Sequence, residues 1–160
     1  MRYKRSKAEV KAETYVNAVP APYEYPGDFV GTPTLSYEPF PDNKPDPGEV
    51  VWGWVPYEEN HKLGKDRPVL IIGRDGKWLL ALMLTSQDHD RDKTQEAYEG
   101  RYWVEIGRGP WDRKGRVSEV RVNRIIRMDP SQLRRPGGEK VPAQAFERVA
   151  KGVCEHAGRK

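Results

Sequence analysis

A chain of 160 residues carrying a net charge of +4 is expected to form one domain, and it is long enough to build a real core. Apolar residues make up only 36%, while 14 prolines and 15 glycines are many, so part of the chain is expected to lie outside that core. The single cysteine, Cys154, excludes an intramolecular disulfide and fits a cytoplasmic setting. No apolar run approaches the roughly 18 residues of a membrane span, and no apolar segment follows the basic start Arg2-Tyr3-Lys4-Arg5, so neither membrane insertion nor secretion is expected.

In chain order, residues 1–46 read as a proline- and tyrosine-rich arm, distinct from a domain over 47–160. A thin apolar stripe of Val10, Tyr15 and Val16 allows a short helix over Ser6–Ala18. Between Val19 and Pro47 stand eight prolines, interleaved with Tyr23, Tyr25, Phe29, Tyr37 and Phe40. Proline at that density blocks helices and central strands. The arm is therefore either extended and disordered by itself, or laid along the domain or a partner with its aromatics in grooves.

The first strand of the domain is expected at Glu49–Val55, and a loop over Pro56–Asp66 follows it. The β-branched run Val69-Leu70-Ile71-Ile72 then enters a tight turn at Arg74-Asp75-Gly76-Lys77, and Trp78–Thr85 returns as its partner. A charged loop spans Gln87–Glu99, and Arg101–Gly107 is the next strand. Val117–Met128 alternates as one strand in which Arg121 and Arg127 share a face and Arg124 opposes them. About five short strands argue for a small, strongly bent β barrel or sandwich. Ala145, Phe146, Val149, Ala150 and Val153 repeat at helical spacing, so Val141–Cys154 is predicted to be an amphipathic helix packed on it.

The chemistry lies in the basic residues. Asp88, His89, Asp90 and Asp92 form a solvated acidic loop rather than a ligand set, so no metal or other cofactor is expected. Gly107-Arg108-Gly109 lacks the setting of a phosphate loop. Residues 101–135, however, hold ten Lys or Arg against four Asp or Glu. These are either snorkelling arginines on a solvated strand or a groove for phosphates, with Tyr102, Trp103 and Trp111 as stacking surfaces. Arg67, rooted beside Pro68 at the mouth of a strand, suits a phosphate contact. Its plain alternative is an ion pair with Asp66.

Pro47-Gly48-Glu49-Val50-Val51-Trp52, then Arg67-Pro68-Val69-Leu70-Ile71-Ile72, then Leu84-Thr85-Ser86 resemble, in order and spacing, the MazF/PemK toxins of type II toxin–antitoxin modules. Val120-Arg121-Val122-Asn123 through Asp129-Pro130 is similar to the later strand of that family. The resemblance implies an SH3-like barrel, a homodimer, and a metal-independent endoribonuclease that cleaves single-stranded RNA and is neutralised by an antitoxin. It makes Arg67 and Thr85 catalytic, with Ser86 beside them. Arg121 resembles an arginine of the PemK branch, whose aspartate two positions on is here Asn123, a side chain that accepts a hydrogen bond but not a proton. Glu58, Glu59 and His61 precede Arg67, and His61 is the most natural base because its reference pKa is near 6.5. Lys65, Trp103 and Arg124 complete the expected RNA contacts. Two alternatives stand beside this reading: a non-catalytic nucleic-acid- or protein-binding barrel, and a gyrase-poisoning toxin of the same fold.

Overall fold

The computed structural model describes residues 17–86, 102–134 and 139–157. The helix expected over Ser6–Ala18 falls, except for its last two residues, outside this set, as does the Gln87–Glu99 loop with its acidic cluster. Among the described residues the chain forms β1 (Val19–Pro20), β2 (Val50–Tyr57), β3 (Asn60–Asp75), β4 (Trp78–Ser86), β5 (Trp103–Gly107), β6 (Ser118–Arg121) and β7 (Ile126–Met128). A 3-10 turn at Pro130–Gln132 and a single helix, α1 (Ala143–His156), follow. The architecture is mainly β with a C-terminal helix, as expected. All strand pairs are antiparallel, and the sheet curls as in a small barrel without closing on itself.

Two sequence expectations are corrected. The segment Pro56–Asp66 is not a loop: β2 runs to Tyr57, Glu58-Glu59 make a two-residue connection, and β3 starts at Asn60 and continues for sixteen residues. The polar composition of 60–66 hid this strand, because its pairing comes from its neighbours. β2 binds it on one side, and on the other β1 pairs Val19 with Gly64 and Pro20 with Leu63. A side chain at Gly64 would meet the Val55 carbonyl and the Trp54 ring. The second correction concerns Val117–Met128, which breaks into β6 and β7. β6 pairs with the end of β4 and β7 with its start, and the chain turns between them. The arginines along it therefore do not keep a strand's alternation.

The β3–β4 turn is tight, as its sequence implies, but the loop residues are Gly76 and Lys77, closed by the Asp75–Trp78 pair. Gly76, at φ 59°, supplies the positive φ of the first loop position. The apolar run of β3 is continuous because both faces are covered. Leu70 and Ile72 pack with Leu82, Val120, Val122 and the α1 residues Ala145, Phe146, Val149 and Val153. Val69 and Ile71 face the other way, into Val51, Val55, Ala81, Ile126 and Met128. Pro68 fits within β3 because β1 pairing has ended at Gly64 and β4 pairing begins only at Val69, so no partner on that edge calls on its missing N–H.

The described part of the arm lies along this domain. Phe29 bridges to Ile125 and Leu35 to Gly73, where an added Cβ would strike the Thr34 carbonyl. The Tyr37 hydroxyl donates to the Val141 carbonyl at 2.6 Å, and its ring packs on Phe146. Glu49, only 2% exposed, accepts the Asp46 amide at 2.9 Å and the Phe40 amide at 3.2 Å. The acid at the start of β2 thus orders the end of the arm. Replacing Leu70, fully buried, with alanine is expected to cost about 2–5 kcal/mol in unfolding free energy, read from denaturant midpoints at unchanged slope.

Candidate active site

Arg67 occupies a gap in the sheet. Among the described residues, 65–68 of β3 have β2 on one side and no strand on the other, since β1 pairing stops at Gly64 and β4 pairing starts at Val69. A side chain here is rooted on a paired strand yet opens onto free space. That space is a cleft of about 220 Å³ lined by Val55, Pro56, Tyr57, Glu58, Glu59, Arg67, Met83, Thr85, Trp103, Arg121 and Arg124. The β2–β3 connection supplies the two glutamates. The end of β4 supplies Met83 and Thr85, and β5 and β6 supply Trp103 and Arg121 as cross-strand partners.

Three guanidinium groups meet in this cleft, and each is held differently. Arg121, 9% exposed, donates from Nε to Asn123 Oδ1 and from NH2 to Glu58 Oε2, both at 2.8 Å. Arg124, 5% exposed, donates from Nε to Asp28 Oδ2 at 2.9 Å, from NH2 to Asp28 Oδ1 at 3.4 Å, and from NH2 to the Pro56 carbonyl at 2.8 Å. Arg67 has no hydrogen bond or ion pair among the described residues. The Asp66 partner considered for it is taken by Arg134. Burial lowers the Arg67 pKa from its ordinary value, and the Arg124 charge lowers it further, against an opposing effect of Tyr57. Arg67 is thus a desolvated cation beside another cation, a placement that favours an incoming anion.

Of the expected site residues, Arg67, Thr85, Trp103, Arg121 and Arg124 line the cleft together. Asn123, 7% exposed, stands behind Arg121 and sets the direction of its fork. Ser86 follows Thr85 at the strand end, its Oγ 3.4 Å from Ser118 Oγ. Lys65 pairs across from Val55 but is not among the lining residues. His61 lies elsewhere: its ring meets the Tyr25 ring edge-on at 4.9 Å, and it lines a separate hollow with Pro20, Ala21, Tyr23, Glu24, Tyr25 and Lys62. Arg127 turns away to Asp75 and to the carbonyls of Gly27 and Asp28. Sequence reasoning missed Tyr57 and Met83, whose roles as cleft walls depend on where β2 ends and which face of β4 turns inward. It also missed Asp28, for which only the turn-forming Tyr25-Pro26-Gly27-Asp28 gave a signal. Among the described residues no three His, Cys, Asp or Glu side chains gather as a ligand set, and no helix is long and apolar enough to cross a membrane.

This is a small, curled β domain with a cationic cleft at the open end of its sheet, and comparison with known families agrees with that class. Residues 46–157 match the PemK-like, MazF-like toxins of type II toxin–antitoxin systems, and the chain belongs to that family. Membership gives it a toxin's role and implies an antitoxin partner. No curated protein matches the sequence.

The Asp28 carboxyl gives the cleft a pH signature. Burial raises its pKa, but the Arg124 guanidinium, the Tyr25 hydroxyl and His61 outweigh burial, and the net value falls below the ordinary 3.8. A lowered folded-state pKa contributes stability that is present above the unfolded value and is lost as pH falls through the folded one. Wild type is therefore expected to melt above Asp28→Asn at neutral pH, with the gap closing below about pH 4. A gap that stays constant from pH 7 to pH 2 in melting curves excludes the charged pairing.

Proposed function

We propose that the protein is an endoribonuclease that cuts single-stranded RNA without a metal, using the 2′-hydroxyl as nucleophile. The observation that carries this reading is the desolvated Arg67, unpartnered among the described residues, in a cleft that also holds Thr85, Trp103 and a carboxylate. Arg67 clamps the scissile phosphate through its planar fork and stabilises the charge that builds on the phosphorane. The Thr85 hydroxyl donates a further hydrogen bond, and Ser86 and the Trp103 face hold the flanking nucleotide. Arg121, aimed by Asn123, faces a second phosphate oxygen. The Glu58 carboxylate, at the cleft rim and bonded to Arg121, takes the 2′ proton. It fills the base role that the sequence assigns to His61, whose ring is held against Tyr25 outside the lining. Proton return to the 5′ oxygen completes a cleavage that leaves a 2′,3′-cyclic phosphate. In the cell the enzyme works as a cytoplasmic homodimer on messenger RNA, growth stops, and the cognate antitoxin relieves the arrest.

Incubation with a long single-stranded RNA in the presence of a chelator tests the reading. Wild type is expected to give discrete fragments with cyclic phosphate ends, and an oligonucleotide carrying one 2′-deoxy group at the cut site is expected to survive. Arg67→Ala is expected to lose about 100-fold or more in rate while keeping most RNA affinity. Intact RNA under conditions where a gel shift shows binding makes the protein a non-catalytic binder. For the base, Glu58→Gln is expected to reduce the rate by about 100-fold, within the range of general-base contributions, and His61→Asn by only a few-fold. The reverse order assigns proton transfer to His61.

A further inference from the structure

One wall of the cleft is backed by a segment outside the family match, which begins at residue 46. Residues 25–29 of the arm are bonded to residues 124–127 through both backbone and side chains. The Phe29 amide donates to the Ile125 carbonyl at 2.9 Å. Arg127 donates to the carbonyls of Gly27 and Asp28 at 3.0 and 3.2 Å, and its guanidinium lies over the Phe29 ring. Gly27, at φ 100°, takes a conformation that side chains disfavour, and so turns Asp28 inward. At the centre, both oxygens of Asp28 face the Arg124 fork at 2.9 and 3.4 Å. Oδ1 also accepts the Tyr25 hydroxyl at 2.6 Å, and the Arg127 amide donates to that hydroxyl's oxygen at 3.2 Å.

We propose that Asp28 is a positioning residue for the cleft, fixing the Arg124 guanidinium in its wall so that this charge is aligned with Arg67 when a phosphate binds. The inference rests on the ribonuclease reading. Two observations favour positioning over blockade. No arm residue among those described lines the cleft, so Asp28 reaches Arg124 from behind the wall rather than across the mouth. And Arg67, whose N–H donors suit a phosphate, is left uncontacted by the described part of the arm. Without Asp28, Arg124 keeps, among the described residues, only the Pro56 carbonyl, a poor match for a cation that is 5% exposed and close enough to Arg67 to lower its pKa. The fork then turns towards water or the cleft, and the two guanidiniums lose their fixed spacing.

The test uses the full chain as wild type, Asp28→Asn, Arg124→Ala, the double variant, Tyr25→Phe, and Arg67→Ala as the inactive control. Single-turnover cleavage of a short RNA is compared with the affinity for the same oligonucleotide bearing 2′-O-methyl groups, followed by anisotropy. Asp28→Asn is expected to lower the cleavage rate by about tenfold or more with affinity unchanged within a few-fold, because a misplaced charge affects the transition state more than binding. Adding it to Arg124→Ala is expected to cost nothing further. Tyr25→Phe, which keeps the ring and the fold, is expected to lower the rate less with affinity again unchanged. Rate and affinity rising together would mean the arm is a blocker and would overturn the proposal. Both falling together with melting temperature would reduce Asp28 to structural support, and an unchanged rate in Asp28→Asn and Tyr25→Phe would remove it from the site. If wild type cleaves no more than Arg67→Ala, the ribonuclease reading fails and this one goes with it.

Discussion

Strand β3 has to be covered on both faces over its second half and paired on changing edges along its length, and the rest of the molecule follows from how that is done. Its apolar residues alternate between two separate cores, one roofed by α1 and the other by β7, with arm side chains packed against each. Its edges are served in turn, by β2 as far as Leu70 with the arm beyond it on one side, and by β1 near the start and β4 near the end on the other. Where one edge partner stops before the next begins, the sheet leaves a notch. Arg67 stands in it. A residue there gets backbone rigidity from β2 and open space from the missing neighbour, a combination that neither a loop nor a fully paired strand provides. The bulge at Ile71–Gly73 has a similar cause, because Gly73 gives up its side chain to let the arm cross.

Electrostatics then sort arginines that look equivalent in the sequence. A buried guanidinium without a partner is costly, and most of these are supplied with one: Glu58 and Asn123 for Arg121, Asp28 for Arg124, Asp75 and two carbonyls for Arg127. Pairing of this kind makes a cation part of the scaffold. Among the described residues the exception is Arg67, and a cation left without a partner in a partly desolvated notch stores attraction for an anion that comes from outside. Glu58 serves two ends in this scheme, since the carboxylate that neutralises Arg121 also sits at the rim of the cleft.

Much of this arrangement is legible from sequence, and the misses share a physical origin. The Val69–Ile72 run, the Asp75-Gly76 turn, the ladder from Ala145 to Val153 and the place of Arg67 at a strand mouth are local patterns, and local patterns give local structure. The 60–66 half of β3 was not legible, because its polar residues are strand only by virtue of β1 and β2 beside them. The break at Val122–Ile125 was hidden by an alternation that runs straight through it, and it decided which arginines face the cleft. Thr85 could be placed by its position at the end of a strand. His61 could not, since its orientation depends on the ring of Tyr25, thirty-six residues earlier in the chain. Asp28 was invisible for the same reason on a larger scale: its partner Arg124 is 96 residues away.

That separation bears on the order in which the molecule is made. During synthesis residues 25–29 leave the ribosome long before residues 124–127 exist, and none of the bonds between the two segments can form in the interval. The β2–β3 and β3–β4 hairpins, being local, can pair while the chain is still growing, and they carry Arg67 and Thr85 with them. The cleft can therefore be completed only after residues 124–127 have emerged, late in the making of the domain. A chain interrupted before Arg124 would hold an arginine in the right notch and no finished site around it.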